Sequence, residues 1–441
     1  MKLSVKEPLA ECLKFQKMKN RVVVTGLGVV APNGVGVSEF TKAIQSGTSG
    51  ITFHPKLKEL GFSCQIGGVP TISEKKIKEY FTDLQLKNFN SDNILYGVIA
   101  GMDALKDSGI QSAGKDEEPL WDLGVIFGSG NSSVEKFRES FNKIDEGKVR
   151  RLGSTSVAQT MASSVSAYLG GMIGAGNRVT GNASACATGT EAIVMGYEQI
   201  ASGKAKHMLC GSSNDGGPYV WGGFDAMRIL PHQYNDNPTA ASRPLSLDAS
   251  GFVPGCGAGA LLLESLESAQ KRGATIYAEI LGGSVNSGGQ RGEGSMTAPN
   301  SIAVQRCISE SLKEAGVEAS EIDYINGHLT ATVKDPLEIQ NWSQALGRKG
   351  ADFPYINSLK GMTGHCLAAS GSIEAVSTIL QLQQGFVFPN INCETIHPEI
   401  EKLVASERIS KKLKKATIET AIKASFGFGD VNACVIFKRK K

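Results

Sequence analysis

The chain has 441 residues, 41% hydrophobic and 20% charged, the balance of a soluble globular protein with room for two or three average domains. Its 46 basic and 43 acidic residues leave a net charge of +3, too little for nucleic-acid binding through charge alone, so any basic surface is local. Nine cysteines with no close CxxC pair suggest neither a zinc site nor a disulfide framework and fit a reducing cytoplasm, while no apolar run approaches membrane-spanning length.

The residues up to Met18 mix Lys, Glu and Gln where a secretory signal would be apolar, and Met18 is a candidate alternative start, so 1–19 reads as an N-terminal extension. Val22 to Val30, Leu123 to Phe127, His207 to Cys210 and Ala258 to Glu264 are apolar or β-branched runs bounded by glycine, as buried strands are. Segments of helical spacing lie between them, and 52 glycines spread through the chain supply tight turns, so the pattern is α/β.

Cys186 follows the small residues Gly181-Asn182-Ala183-Ser184-Ala185 and precedes a helix-compatible run to Ile200. A helix N-terminus offers unpaired N–H groups and positive dipole charge, which lower a thiol's pKa, and small neighbours leave room for a substrate to reach sulfur. Cys186 is therefore a candidate nucleophile. The segment Arg243 to Ala260 alternates Gly and Ala in a way that suits close backbone approach, a scaffold role.

Two histidines lie in Gly/Thr-rich turns, His328 within Ile325 to Thr332 after a strand-like stretch and His365 at the end of Asn357 to His365. Cys186-Ala-Thr-Gly-Thr-Glu-Ala-Ile finds an echo in His365-Cys-Leu-Ala-Ala-Ser-Gly-Ser-Ile-Glu-Ala-Val, each between a strand-like segment and a helix. The second half thus restates the first, with a boundary near Ser268 to Ala274 and units at 20–270 and 271–441.

These segments, in this order, with Arg21 to Val30 at the start and Ser425 to Ala433 at the end, resemble the β-ketoacyl-acyl-carrier-protein synthases, most closely the chain-elongating type. The resemblance runs from Asn20 to Arg439. It implies a thiolase-like α/β fold of two similar halves layered α-β-α-β-α, with Cys186 and His365 at equivalent helix N-termini facing one cleft. It also implies no cofactor and no metal, a cytoplasmic location, and a partner that is an acyl carrier protein bearing phosphopantetheine thioesters.

The implied reaction is a decarboxylative Claisen condensation. Cys186 holds the acyl chain as a thioester, and its own backbone N–H with that of Phe428 forms the oxyanion hole. His328 and His365, as neutral imidazoles, donate hydrogen bonds to the malonyl thioester carbonyl. Lys360 supports the site electrostatically and Glu374 pairs with it. Thr330, Thr332 and Thr297 contact the substrate arm. Phe428, between Gly427 and Gly429, gates the acyl pocket opposite a mobile loop, Gly292 to Asn300, that contains Met296 and Thr297.

The chain departs from the family's pattern at Leu329, where glycine is usual beside the histidine, at Asp430-Val431 in place of Gly-Thr, and at Cys256 in place of an acid. These departures suggest altered gating and a specialised member, such as one making polyene or pigment chains. A homodimer is expected, with a heterodimer beside a related subunit as the other arrangement. The competing readings are a non-catalytic chain-length-determining partner, which typically lacks the cysteine, and a thiolase or coenzyme-A-primed initiating synthase. Lys136, Arg138, Lys143, Arg150 and Arg151 are candidate docking cations for an acidic carrier.

Overall fold

In a computed structural model the chain is described over residues 20–440, so the expected extension, with Met18, lies outside the described residues. The main sheet contains β1 (Val22–Ala31), β2 (Leu123–Ser129), β3 (Val179–Thr180), β4 (His207–Asn214), β5 (Gly257–Ser265), β6 (Ala278–Ser287), β7 (Tyr324–Asn326), β8 (Tyr355–Asn357), β9 (Thr420–Gly427) and β10 (Val431–Arg439), plus Gly34–Val35 folded back on β1. All four strands read from the sequence form. Every residue of β1 and β5 is buried, which is why both read as nearly continuous apolar runs.

The strand order is β8-β7-β9-β10-β6-β1-β5-β4-β2-β3. Outward from the β1–β6 junction, each side runs antiparallel, antiparallel, parallel, parallel, so β1-β5-β4-β2-β3 and β6-β10-β9-β7-β8 are the same motif twice. Helices α1 (Asp92–Ser108) and α2 (Ser164–Ile173) cover the outside of the first motif, and α4 (Ser301–Ala315) and α5 (Asp335–Leu346) that of the second. Helices α3 (Thr188–Ala201) and α6 (Ser370–Gln384) lie between the two and touch both. The layering is the expected α-β-α-β-α.

The two interior helices meet where neither has a side chain. A Cβ added to Gly189 would lie 2.4 Å from the backbone nitrogen of Ser372, and one on Gly371 would lie 2.6 Å from that of Thr190. Each helix is entered through a short turn, Ala185–Ala187 or Leu367–Ala369, whose first residue has positive φ, 47° at Ala185 and 52° at Leu367. The turns are therefore equivalent, and the counterpart of Cys186 is Ala368. His365 stands three residues before that position, which corrects the residue-to-residue pairing the sequence echo suggests.

The segment Arg243 to Ala260 fixes the second turn by backbone bonds: His365 N donates to the carbonyl of Val253 at 2.7 Å and Gly255 N donates to the carbonyl of His365 at 2.9 Å. Its scaffold role is concrete, because it holds a histidine of the site.

Candidate active site

The ends of β2, β4, β7 and β9 converge on a cavity of about 410 Å³ whose lining includes Phe224, Phe252, Val304, Leu337 and Phe426, with Cys186, His328 and His365 on its wall. One ligating atom from each of these three lies within 4.8 Å of the other two. The imidazole rings stand edge to face at 5.3 Å and 83°.

Cys186 sits in the Ala185–Ala187 turn, and both its own N–H and that of Phe428 are directed at its sulfur. Two such donors also suit an oxyanion formed on a thioester held there. Burial nevertheless outweighs these donors and the Lys360 charge, and pushes the thiol up to about 11. The direction runs against the expected lowering: Cys186 is half-buried on the cavity wall, and the loss of solvent around its sulfur raises the thiol more than the two donors and Lys360 lower it.

His365 Nδ1 accepts the backbone N–H of Leu367 at 3.1 Å and lies 2.9 Å from Ser370 Oγ. An acceptor at Nδ1 puts the ring proton on Nε2. His328 is set by its backbone: its N–H and that of Leu329 donate to the two oxygens of Glu338, each at 2.7 Å. Burial holds both histidines well below the ordinary value, with the Lys360 and Lys423 charges acting in the same direction. Both are neutral at pH 7, so each has an N–H to donate.

The Glu338 bonds explain how leucine occupies a position where the sequence resemblance leads one to expect glycine. Leu329 takes φ 22° and Ala331 φ 62°, conformations that L residues rarely adopt. The strain is held by Glu338, by Ser358 Oγ donating to the Leu329 carbonyl at 2.8 Å, and by Asp335 Oδ1 accepting from Thr330 N at 3.0 Å and Thr332 N at 3.3 Å. The Leu329 side chain packs in the core beneath α4 and α5 and does not line the cavity. Cys256 is also a core residue, 3.9 Å from Tyr96 Oη.

Thr330 and Thr332 line the cavity with their hydroxyls 3.1 Å apart, and Thr297 and Phe428 line it too. Phe428 packs edge to face on Phe224 at 6.2 Å. Gly427 lies against the nucleophile's turn: a Cβ there would be 3.1 Å from Cys186 N. Beyond it, Gly429 N donates to the Met296 carbonyl at 2.8 Å. Lys360 and Glu374 form a buried ion pair behind the histidines.

Sequence reading missed Lys423, whose Nζ is 2.9 Å from Glu374 Oε2. The signal was a lysine inside the otherwise apolar or small run Thr420-Ala-Ile-Lys-Ala-Ser-Phe426, every residue of which is buried. Glu338 and Asp335 were missed as well. The expected docking surface also changes: Lys136 is buried on Glu139 and the Asn88 carbonyl, Lys143 pairs with Glu139, and Arg138 lies over Tyr219. Arg150 and Arg151 remain exposed, and Lys334 lines the cavity.

Comparison with known proteins decides the family. The description "Beta-ketoacyl synthase, N-terminal domain" matches residues 19–269 and "Beta-ketoacyl synthase, C-terminal domain" matches 277–394. The chain belongs to the β-ketoacyl synthase family. It is 33% identical over 425 residues to the 3-oxoacyl-[acyl-carrier-protein] synthase 2 of Vibrio cholerae, covering 96% of this chain and 99% of that one.

Among solved β-ketoacyl synthase relatives, it superposes at a TM-score of 0.84 and 30% identity on a type II polyketide ketosynthase in complex with its acyl-carrier protein, covering 96% of this chain and 100% of that one. The ishigamide ketosynthase/chain length factor gives a TM-score of 0.84 at 26% identity, with the same coverage. Among the described residues no helix is long and apolar enough to cross a membrane.

Proposed function

We propose that this chain is a chain-elongating synthase that condenses a Cys186-bound acyl group with a malonyl unit on an acyl carrier protein. The observation that carries it is the meeting of a cysteine with two neutral histidines, one of them protonated on Nε2, in a single apolar cavity.

Cys186 Sγ attacks the acyl thioester carbon, the C–S bond to the carrier breaks, and the thiol proton ends on the departing carrier thiol. The Cys186 and Phe428 N–H groups face the oxyanion of that step. Malonyl thioester then binds with its carbonyl between the histidine N–H donors. The bond to the carboxylate breaks, carbon dioxide leaves, and the electron pair becomes an enolate held by His328 and His365. The enolate carbon attacks the Cys186 thioester, the C–S bond breaks, and Cys186 recovers a proton as the β-ketoacyl carrier departs.

In this reading Lys360 and Glu374 hold the field behind the histidines, Thr330, Thr332 and Thr297 line the substrate's path, and Phe428 with Gly427 and Gly429 forms the gate. The units 20–270 and 271–441 contribute the nucleophile and the histidines respectively. An acidic carrier meets Lys334 and the exposed Arg150 and Arg151, and the setting is the cytoplasm.

Likeness to a ketosynthase/chain length factor supports a heterodimer as the alternative to a homodimer. The intact Cys186 site opposes a purely non-catalytic partner role. Intact-mass analysis of wild type and Cys186→Ala, given a panel of acyl carriers and then malonyl carrier, tests the reading. Cys186-dependent acylation and a two-carbon-longer β-keto product support it. Acylation without elongation points to a missing subunit, and no acylation across the panel overturns it.

A further inference from the structure

Two lysines share one carboxylate behind the histidine pair. Glu374 Oε1 pairs with Lys360 and Oε2 lies 2.9 Å from Lys423 Nζ, with the Lys360, Glu374 and Lys423 side chains 1%, 2% and 0% exposed. The Lys423 ammonium also donates to the carbonyl of Ala424 and lies 3.0 Å from Ser425 Oγ, which is 2.9 Å from Thr190 Oγ1. Lys423 is absent from the cavity lining, so it acts through its neighbours.

A single buried Lys–Glu pair is neutral, and Lys423 adds a second cation to this one, with burial lowering its pKa and Glu374 acting against that lowering. The other carboxylates nearby are already engaged. Glu338 accepts from His328, Leu329 and Trp342, and Asp335 accepts from Leu245, Thr330 and Thr332. Burial pushes them up to about 7 and about 6, so at neutral pH Glu338 is near half ionised and Asp335 mostly ionised, and both balance positive charge from the lysines. The charged and titratable groups around His328 and His365 are then Lys360, Lys423, Glu374, Glu338, Asp335 and Cys186.

We propose that Lys423 is a positioning residue for the condensation: by taking one oxygen of Glu374 it sets a second ammonium behind His328 and His365, on the same carboxylate as Lys360, and this added positive charge disfavours a proton on either ring beyond what burial does and favours the enolate as carbon dioxide leaves. The proposal rests on the reading of the site as a condensing one. Of the two lysines on Glu374, Lys360 alone was visible in the sequence motif, and Lys423 adds a second cation.

The test uses the full chain with Lys423→Met and, should that variant fold poorly, Lys423→Gln, which keeps a hydrogen-bonding head without charge. Histidine ring carbons are followed by NMR against pH, and carbon dioxide release from malonyl carrier protein is measured in parallel. We expect the His328 and His365 midpoints to rise by about one pH unit and kcat for release at pH 7 to fall about tenfold with KM unchanged, the acid limb moving up in step.

A merely structural role would lower the melting temperature and leave the midpoints in place. Wild-type midpoints for both rings in a folded variant overturn the proposal, whatever the activity. A wild type that releases no carbon dioxide overturns the condensing reading instead, and the ring titrations still decide what Lys423 does to the histidines.

Discussion

Asp430 Oδ1 accepts the backbone N–H of Asn300 at 2.8 Å, tying the loop that carries Phe428 to the loop that carries Thr297. Its other oxygen accepts from Gln290 N at 3.0 Å, and Gly288 N donates to its carbonyl at 2.9 Å. Asp430 thus ties the Phe428 segment to the facing loop through three hydrogen bonds. Asp430→Gly removes both side-chain bonds, while glycine at φ 61° relieves backbone strain. The expected result is about tenfold faster amide exchange across residues 289–300, with global stability lower by only about 1–2 kcal/mol. Unchanged protection in that loop would show that the tie does not govern it.

Gly427→Ala tests the close approach at the nucleophile. The new Cβ would meet Cys186 N, the Ser184 carbonyl oxygen and Ala187 N at 3.1–3.2 Å, all backbone atoms that cannot swing away. Relief moves the Phe428 N–H off the sulfur, so acyl transfer to Cys186 falls about a hundredfold. Alkylation by the small reagent iodoacetamide needs no oxyanion donor and loses only the thiolate stabilisation that the Phe428 N–H supplied, so it falls by a much smaller factor. Equal losses in both reactions would place the damage elsewhere.

A thiol pushed up to about 11 has a clear kinetic signature. Only about one part in ten thousand is thiolate at pH 7, so Cys186 alkylation accelerates close to tenfold per pH unit through pH 9–10. Mass mapping of the modified peptide, with Cys186→Ala as control, supplies the rate. A plateau below pH 8 would mean that the donors at sulfur outweigh its burial.

Glu338 gives stability a pH dependence of its own. Burial raises its folded value to about 7, above that of the unfolded chain, so its protonated form favours folding. That contribution is fully present below about pH 4.5 and is lost as pH rises to about 7, on the order of 2–3 kcal/mol. The buried neutral histidines act in the opposite direction below pH 6.5, so the difference between wild type and Glu338→Gln isolates the glutamate. Chemical denaturation at pH 5 and pH 7.5 should show the wild type's advantage over the variant shrinking with rising pH; an advantage that grows would sink this assignment.

Much of the site was legible because its pieces lie in short contiguous motifs. Cys186, His328, His365 and Phe428 each sit in a turn whose glycines and small residues announce close approach, and the four strands announced themselves by unbroken apolar runs. What stayed hidden depends on long-range burial. Lys423, 49 residues beyond Glu374 in the chain, gains meaning only when two elements stack. Lys136 looked like a surface cation, yet its ammonium is sealed on Glu139 and a carbonyl. Helix-dipole reasoning also misjudged Cys186, because local donors are visible in sequence and the depth of a cavity is not.

The bare contact between Gly189 and Gly371 has an implication for how such a chain can change. Each motif offers one position at the lip of an interior helix, and only the first holds sulfur, while Ala368 fills the second. The halves therefore differ at that lip, the first presenting a thiol and the second a methyl, while both histidines come from the second. A wider residue at either glycine would pry the two turns apart without touching Cys186, His328 or His365. The seating of one half on the other thus hinges on two hydrogen atoms where side chains would otherwise be.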